Sequence, residues 1–280
     1  MTTIIDGRKI RDNILAEVKY GVGKLAFTPI FCDVLIGDDP VSIQYINMKA
    51  KVAESLGIHF HHAEFSKDIS TDDLVKEIEK LNLIPNMCGL IVQLPLPPSL
   101  DKDKVLNAIA TNIDVDCLGK NASEIFYNGN ISIGFPTSLA CMAIIDSLNI
   151  DLTGKKIVVF GQGMLVGRPV TYLLRSRGLD VSIINRKVEN KDELIKNADI
   201  LISATGQGKY ITGAMIKDGS IIVDAGTSES TGGIVGDVDL DSVKGIAGFV
   251  SPVPGGVGPV TVAMLLKNVL TVANKLKSLK

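Results

Sequence analysis

Neither sign of charge predominates in this chain. Its 29 Lys and Arg stand against 31 Asp and Glu, a formal net charge of −2, so there is no basic field to hold nucleic acid. No continuous apolar run reaches the roughly 18 residues of a membrane span, and no membrane partner is expected. The opening Met-Thr-Thr-Ile-Ile-Asp-Gly-Arg lacks a signal-peptide core. Only four cysteines occur, Cys32, Cys88, Cys117 and Cys141. They lie far apart without a C-x-x-C pair, which argues against a zinc site or a disulfide framework. Cys32 and Cys88 sit in apolar runs and read as small core residues. A reducing, cytoplasmic setting fits. The three histidines, His59, His61 and His62, crowd one segment without Cys or acidic partners. They read as strand surface, and no metal site is expected.

What the chain has in quantity is apolar surface. Hydrophobic residues make up 46% and charged residues 21% of 280 positions. That suffices for one large or two ordinary domains and argues against disorder. The first half reads β-α-β-α-β: a strand over Ile30–Ile36, a helix opening at Pro40, a weak strand over Phe60–Phe65, a helix capped by Thr71-Asp72-Asp73, and an apolar strand Gly89–Leu94. A helix precedes them over residues 5–20. Another is expected over Lys102–Ala110, and a helix-rich connector over 134–152. The second half alternates short apolar strands, Lys155–Phe160, Val181–Ile184, Asp199–Ser203 and Ile221–Asp224, with helical stretches. A last helix is expected from Pro259 to the C-terminus.

The stretch from Asp38 to Lys49 organises the first half. Asp38 or Asp39 can cap a helix, and Pro40 suits the first helical position, where no N–H is needed. Ile43, Ile46, Ala50 and Ala53 recur at helical spacing as an apolar stripe. Tyr45 and Lys49, four residues apart, stack on the flank of that stripe, where a helix lines a groove. An ammonium beside a ring in a groove can move protons and hold a flat substrate. The plainer reading is a snorkelling Lys packed over a ring. Gln93 stands at the carboxyl end of a parallel strand, closed by Leu94-Pro95-Leu96-Pro97-Pro98. Ligands bind at that edge of an open α/β sheet, though a polar strand end bonded to its loop is an equal reading. Asp114 and Asp116 are either turn formers, which the residues alone favour, or a carboxylate aimed at the donor edge of a heterocycle.

In the second half a strand runs directly into Gly161-Gln162-Gly163-Met164-Leu165-Val166-Gly167, which opens a helix. Glycines permit the tight turn and the close approach of a pyrophosphate to a helix N-terminus. The spacing G-x-G-x-x-x-G is one residue longer than the usual fingerprint, but the strand, turn, helix, strand context is the required one. Small residues end the next strands, Ala204-Thr205-Gly206 and Ala225-Gly226-Thr227, and let a cofactor lie over the sheet edge. Asn185-Arg186-Lys187 ends the second strand without an acid for a ribose 2′-hydroxyl. A guanidinium there can take a 2′-phosphate through two parallel hydrogen bonds, against the alternative of a solvated basic turn. Pro252 to Pro259 combines rigid and positive-φ positions, either as an interdomain hinge or as a wall close to a ligand.

Three motifs together resemble one family. They are Tyr45-x-x-x-Lys49-x-Lys51-x-Ala53-x-x-x-Gly57-Ile58, Val92-Gln93-Leu94-Pro95-Leu96-Pro97, and Pro252-Val253-Pro254-Gly255-Gly256-Val257-Gly258-Pro259. Nearly the whole chain is similar to the bifunctional methylenetetrahydrofolate dehydrogenase/methenyltetrahydrofolate cyclohydrolase enzymes of one-carbon metabolism. The resemblance implies two α/β domains around a cleft, the second a Rossmann-like doubly wound parallel sheet. The folate-binding catalytic domain would span 1–137 plus 259–280 and the NADP domain 138–258. It implies Lys49 as catalytic acid/base, Gln93 holding and polarising it, and Tyr45 stacking on the folate. Asp116 would bind the pterin donors, with Pro254, Gly255 and Gly256 lining the folate cleft. For NADP it implies Gly161, Gln162, Gly163 and Val166, then Arg186, Lys187, Thr205 and Thr227. It further implies a homodimer through the cofactor domain, and a product that serves purine biosynthesis.

This chain departs from the family pattern at Cys117, where glycine is usual, at Phe135-Pro136-Thr137-Ser138 in place of Pro-Cys-Thr-Pro, at Gly163 for serine and at Ser228 for asparagine. None of these is Lys49, Gln93, Tyr45 or Asp116. Other NAD(P)-dependent dehydrogenases with a Tyr-x-x-x-Lys pair carry it inside the dinucleotide domain. Here the pair precedes the glycine loop by more than a hundred residues. A non-catalytic nucleotide sensor would not account for Lys49, Gln93 and the Pro-Gly loop together.

Overall fold

The structure, a computed structural model, describes residues 1–230 and 233–278. The chain begins with β1 (Thr3–Ile4) and α1 (Gly7–Val22). It then alternates through β2 (Ile30–Ile36), α2 (Pro40–Ser55), β3 (His59–Phe65), α3 (Thr71–Asn82) and β4 (Met87–Val92). Helices α4 (Lys102–Asn107), α5 (Lys120–Tyr127) and α6 (Pro136–Ser147) follow. The second alternation is β5 (Ile157–Phe160), α7 (Gly167–Ser176), β6 (Val181–Ile184), α8 (Lys191–Asn197), β7 (Ile200–Ser203) and β8 (Ile221–Asp224). A hairpin of β9 (Ser228–Ser230) and β10 (Gly233–Val235), the short α9 (Leu240–Val243), β11 (Phe249–Val250) and α10 (Val257–Lys277) complete it.

One compact unit comprises residues 13–136 and 265–280. Its sheet has the order β3-β2-β4, all parallel. Central β2 is buried from Phe31 to Ile36, as a strand covered on both faces must be. Helix α3 starts one residue earlier than the sequence suggested, because the Ser70 hydroxyl accepts from Asp73 N at 3.2 Å and donates to its carboxylate at 2.8 Å. Leu74, Ile78 and Leu81 then form its buried face. Helix α4 stops at Asn107, three residues short of expectation, and α5 was not foreseen. The C-terminal half of α10 packs in this unit, where buried Asn268 donates to the carbonyls of Val115 and Gly134 at 2.8 and 2.7 Å.

The other unit comprises residues 1–12 and 137–264. Its sheet has the order β1-β11-β8-β7-β5-β6, and every pairing in it is parallel. The sequence placed the first twelve residues with the other unit. They group here because β1 pairs with β11, Thr3 opposite Phe249 and Ile4 opposite Val250. The following Gly7 lies under the Pro-Gly loop, where a Cβ would strike the carbonyl oxygens of Gly256 and Gly255. Strands β5, β7 and β8 are buried at all four positions, so apolar runs rather than alternation mark them.

Helix α10 begins at Val257, two residues before the expected start, and its expected last residues, Leu279 and Lys280, lie outside the described residues. By length and composition alone it could cross a membrane, yet more than half of its most apolar stretch is buried inside the fold. It is a core helix.

Candidate active site

Helix α2 is set as its sequence requires. Asp39 accepts from Ser42 N at 2.8 Å and Pro40 opens the first turn. Its buried face, however, is Ser42, Ile46, Lys49, Ala50 and Ala53, while Ile43 is 37% exposed. Lys49 is therefore on the buried face and not on its flank, at 2% exposure. The reason lies in β2. Asp33 stands among apolar residues of that strand, 1% exposed, and forms an ion pair with the Lys49 ammonium. Lys49 Nζ also donates to Gln93 Oε1 at 2.9 Å, and lies 4.7 Å from the centre of the Tyr45 ring. Gln93 follows the last residue of β4, its N–H donating to Val34 O at 2.9 Å and its Nε2 to Leu94 O at 2.7 Å. The amide oxygen is thereby left for Lys49. Three of the expected residues thus meet at the carboxyl end of one parallel sheet.

The two acids of the Asp-Val-Asp loop divide the roles that the sequence left open. Asp114 is buried and holds the turn, accepting from Gly119 N at 2.7 Å. Cys117 adopts a left-handed φ of 61° inside that turn, a conformation that suits glycine better. Asp116 is only partly buried and lies within electrostatic reach of Lys49.

Burial dominates the electrostatics. It pushes the Asp33 carboxyl up from the ordinary carboxylate range, against the pull of Lys49 and, more weakly, His62. It raises Asp116 to about 7, Lys49 opposing and Asp114 and Asp33 adding. Tyr45, 38% exposed, has its phenol pushed up to about 12 by desolvation, then by the carboxylates of Asp116 and Asp33. Paired acids with raised values beside an ammonium form a site able to move protons near neutrality.

In the other unit the turn after β5 fits a dinucleotide. Gly161 has φ 95°, and a Cβ there would collide with the Ala204 carbonyl, so only glycine lets β5 turn so close to β7. Nothing stands within 4 Å of a Cβ built on Gly163, which leaves room beside the loop for a ligand. Val166 precedes α7 and offers no side-chain cap; in the first turn Arg168 N donates to Gly163 O at 3.1 Å and Pro169 has no N–H, which leaves the Gly167 N–H as the donor for a phosphate. Gln162 turns inward instead, its Nε2 donating to Thr171 Oγ1 at 3.2 Å and tying the loop to α7. Arg186 and Lys187 are exposed in the turn after β6, where Lys187 N donates to Asn185 Oδ1 at 2.8 Å. Thr205 and Thr227 lie in the loops that follow β7 and β8. These residues fit NADP. Pro254, exposed after a cis Val253–Pro254 bond, and Gly255, with φ 105°, belong to this unit too.

Sequence reasoning missed two acids. Asp33 carried a signal, being an acid inside an otherwise apolar strand. Asp237, fully buried, is the organiser of the cofactor loops. Its carboxylate accepts from Ser203 Oγ at 2.6 Å, Thr205 N at 2.7 Å and Gln207 N at 2.8 Å. Beside it Asp224 accepts from Gly226 N, Asp237 N and Val238 N at 3.0, 3.1 and 2.9 Å, and burial raises it to about 6. Only its position among turn residues hinted at Asp237.

Both parts of the chain match known proteins. Residues 5–116 match the tetrahydrofolate dehydrogenase/cyclohydrolase catalytic domain, and residues 136–277 match the NAD(P)-binding domain of the same family. The bifunctional protein FolD of Fusobacterium nucleatum is 40% identical over 273 residues, 95% of this chain and 96% of that protein. The crystal structure of the bifunctional methylenetetrahydrofolate dehydrogenase/cyclohydrolase FolD from Campylobacter jejuni superposes with a TM-score of 0.94 at 33% identity, over 99% of this chain and 100% of that one. The Trypanosoma brucei methylenetetrahydrofolate dehydrogenase-cyclohydrolase, complexed with NADP cofactor and inhibitor, gives 0.92 at 31% identity over 98% of each chain.

Proposed function

The chain belongs to the tetrahydrofolate dehydrogenase/cyclohydrolase family, and from that premise we infer which of its residues carry the two reactions. It oxidises methylenetetrahydrofolate to methenyltetrahydrofolate with NADP and hydrolyses the product to formyltetrahydrofolate. Lys49 is the proton-transfer group of the hydrolysis, Gln93 fixes its Nζ, Tyr45 stacks on the folate, and Asp116 accepts from the pterin donors. The observation that carries this reading is the buried Lys49 ammonium, oriented by Gln93 Oε1 at 2.9 Å beside Asp116.

Bound NADP supplies the hydride acceptor. The protein's part in that step is to hold two reactants in register, which alone can remove a large share of a barrier. The opening of α7 at Gly167 faces phosphate. Gly161 and Gly163 let the backbone approach, and Arg186 with Lys187 meets the 2′-phosphate. Hydrolysis needs proton transfers at the methenyl carbon, and Lys49 provides them.

Further parts of the reading are a homodimer through the cofactor unit, a cytoplasmic location and a formyl product that feeds purine synthesis. Among the described residues β6 pairs only with β5, which leaves one edge of the sheet for a second copy. Four buried cysteines that form no disulfide among the described residues suit a reducing compartment. Purified protein mixed with methylenetetrahydrofolate and NADP tests the whole. Reduced cofactor should appear and the methenyl product should then decay faster than in buffer. Cofactor reduction without accelerated decay would remove Lys49 from its role.

A further inference from the structure

Lys49 has two partners, and only one is needed to orient it. Gln93, anchored through Leu94 O, already fixes a direction for Nζ. Asp33 adds a full charge in an unfavourable place. It is the only charged residue of β2, its side chain has no exposure, and apart from the Lys49 ammonium neither carboxylate oxygen has a hydrogen-bond partner among the described residues. Such a carboxylate is costly unless it is paired. The groups facing the pair are Tyr45 from α2, His62 opposite Asp33 on β3, and Asp116 from the loop after α4, with Cys32 the neighbour of Asp33 along β2. Strand β4 presents apolar Ile91 at that level and Gln93 at its end.

The inference rests on Lys49 as the proton-transfer group. Water attacking the methenyl carbon must lose a proton, and an ammonium cannot take one. We propose that Asp33 is the positioning residue that solves this, by taking the Lys49 proton and turning the buried ion pair into a neutral amine–carboxylic acid pair whose amine is the base. As the water oxygen bonds to the methenyl carbon, its O–H bond breaks and that proton goes to Nζ. When the tetrahedral carbon expels a ring nitrogen, Nζ returns a proton to that nitrogen and takes the hydroxyl proton of the forming carbonyl. The pair then holds one proton more than at the start and releases it to solvent. A methenyl cation and water become a neutral formyl product and one proton, and no oxidant is involved. Burial of Asp33, which favours its protonated form, brings the neutral pair within reach.

The test is the pH dependence of kcat for methenyl hydrolysis in wild type, Asp33→Asn and Lys49→Met. Substrate is kept saturating so that groups acting on folate binding do not enter, and His62→Gln accounts for the β3 imidazole. Internal transfer predicts a wild-type kcat that is flat between about pH 6 and 8. Asp33→Asn must lose its Lys49 proton to solvent first, so its kcat should fall about tenfold per pH unit on the acid side, with hydride transfer little changed. A profile for Asp33→Asn that superimposes on wild type overturns the proposal while leaving Lys49 in place. Normal hydrolysis by Lys49→Met overturns the Lys49 reading and this one with it. Should Asp33→Asn fold poorly, Asp33→Ala is assayed with added formate or formamide. Rescue by formate alone supports the proposal, whereas rescue by both or by neither overturns it.

Discussion

Lys49 Nζ donates to Gln93 Oε1 at 2.9 Å, joining the middle of α2 to the end of β4. Because Gln93 spends its Nε2 on Leu94 O, the amide cannot turn its donor toward the ammonium. Hydride transfer moves no proton through Lys49, but hydrolysis does. Lys49→Met should therefore lower cyclohydrolase activity by at least ~10²-fold, with a smaller effect on dehydrogenase activity. The variant also leaves Asp33 buried without its counter-charge, a loss of roughly 3–5 kcal/mol if it stays ionised. Parallel assays of both activities, with Tm measured alongside, check the split.

Asp116 couples binding to pH. Its folded-state value near 7 lies above that of an unfolded aspartate, so between those limits the folded protein holds the extra proton. Its contribution to stability is complete at low pH and is lost as pH rises toward 7. Binding of pterin donors needs the ionised carboxylate and should strengthen over the same rise. Asp116→Asn turns an acceptor into a donor that faces donors, at a cost of roughly 1–3 kcal/mol in folate binding. Folate affinity should fall and lose its pH dependence, NADP affinity should hold, and Tm at pH 8 should not fall. Titration with folate and with NADP at pH 6 and 8 measures all of this.

The alternation of apolar runs with capped helices was legible because each device is local. Asp39 before Pro40, the four-residue apolar strands and the glycine turn after β5 act within a few residues. The rotation of α2 was not, because it depends on Asp33, a residue on another element whose charge draws Lys49 inward. The same holds for the first twelve residues, whose place is set by β11 and the residues just before it, with Thr2 Oγ1 donating to Ala247 O across 245 positions of chain. Asp114 and Asp116 looked alike in sequence. Only the fold shows that one accepts from Gly119 while the other stays open beside Lys49.

Asp237 should control cofactor binding from a distance. It bonds Ser203, Thr205 and Gln207 at once and so shapes the loop at the end of β7 without being exposed itself. Asp237→Asn places an NH2 against one or more of those donors, at roughly 1–3 kcal/mol each. For a chain of this size Tm should drop by about 2–4 °C per kcal/mol. The KM for NADP should rise, and methenyl hydrolysis, which uses no cofactor, should keep its kcat. A fall in hydrolysis equal to the fall in oxidation would mean that the loop serves both sites.

Arg186 should decide between NADP and NAD. It stands exposed in the turn after β6, next to Lys187, and the nearest acid along the chain is Glu189, further into the loop. An acid at the strand end would accept from a ribose 2′-hydroxyl and repel a 2′-phosphate, whereas a guanidinium binds phosphate through two parallel hydrogen bonds. The family's usual serine in the glycine loop is Gly163 here, so one hydroxyl is missing from the phosphate grip and more of the discrimination falls on charge. Wild type should have the higher kcat/KM with NADP. Arg186→Ala should lose that preference through NADP alone, with kcat/KM for NAD nearly unchanged, and the lost contact should weaken further with salt. Lys187→Ala should show the same pattern more weakly, since an ammonium cannot form the paired hydrogen bonds. Dehydrogenase kcat/KM measured with both cofactors at two ionic strengths gives the answer. Equal use of both by wild type, or an unchanged ratio in Arg186→Ala, would place the discriminator elsewhere, with Arg168 in α7 the next candidate.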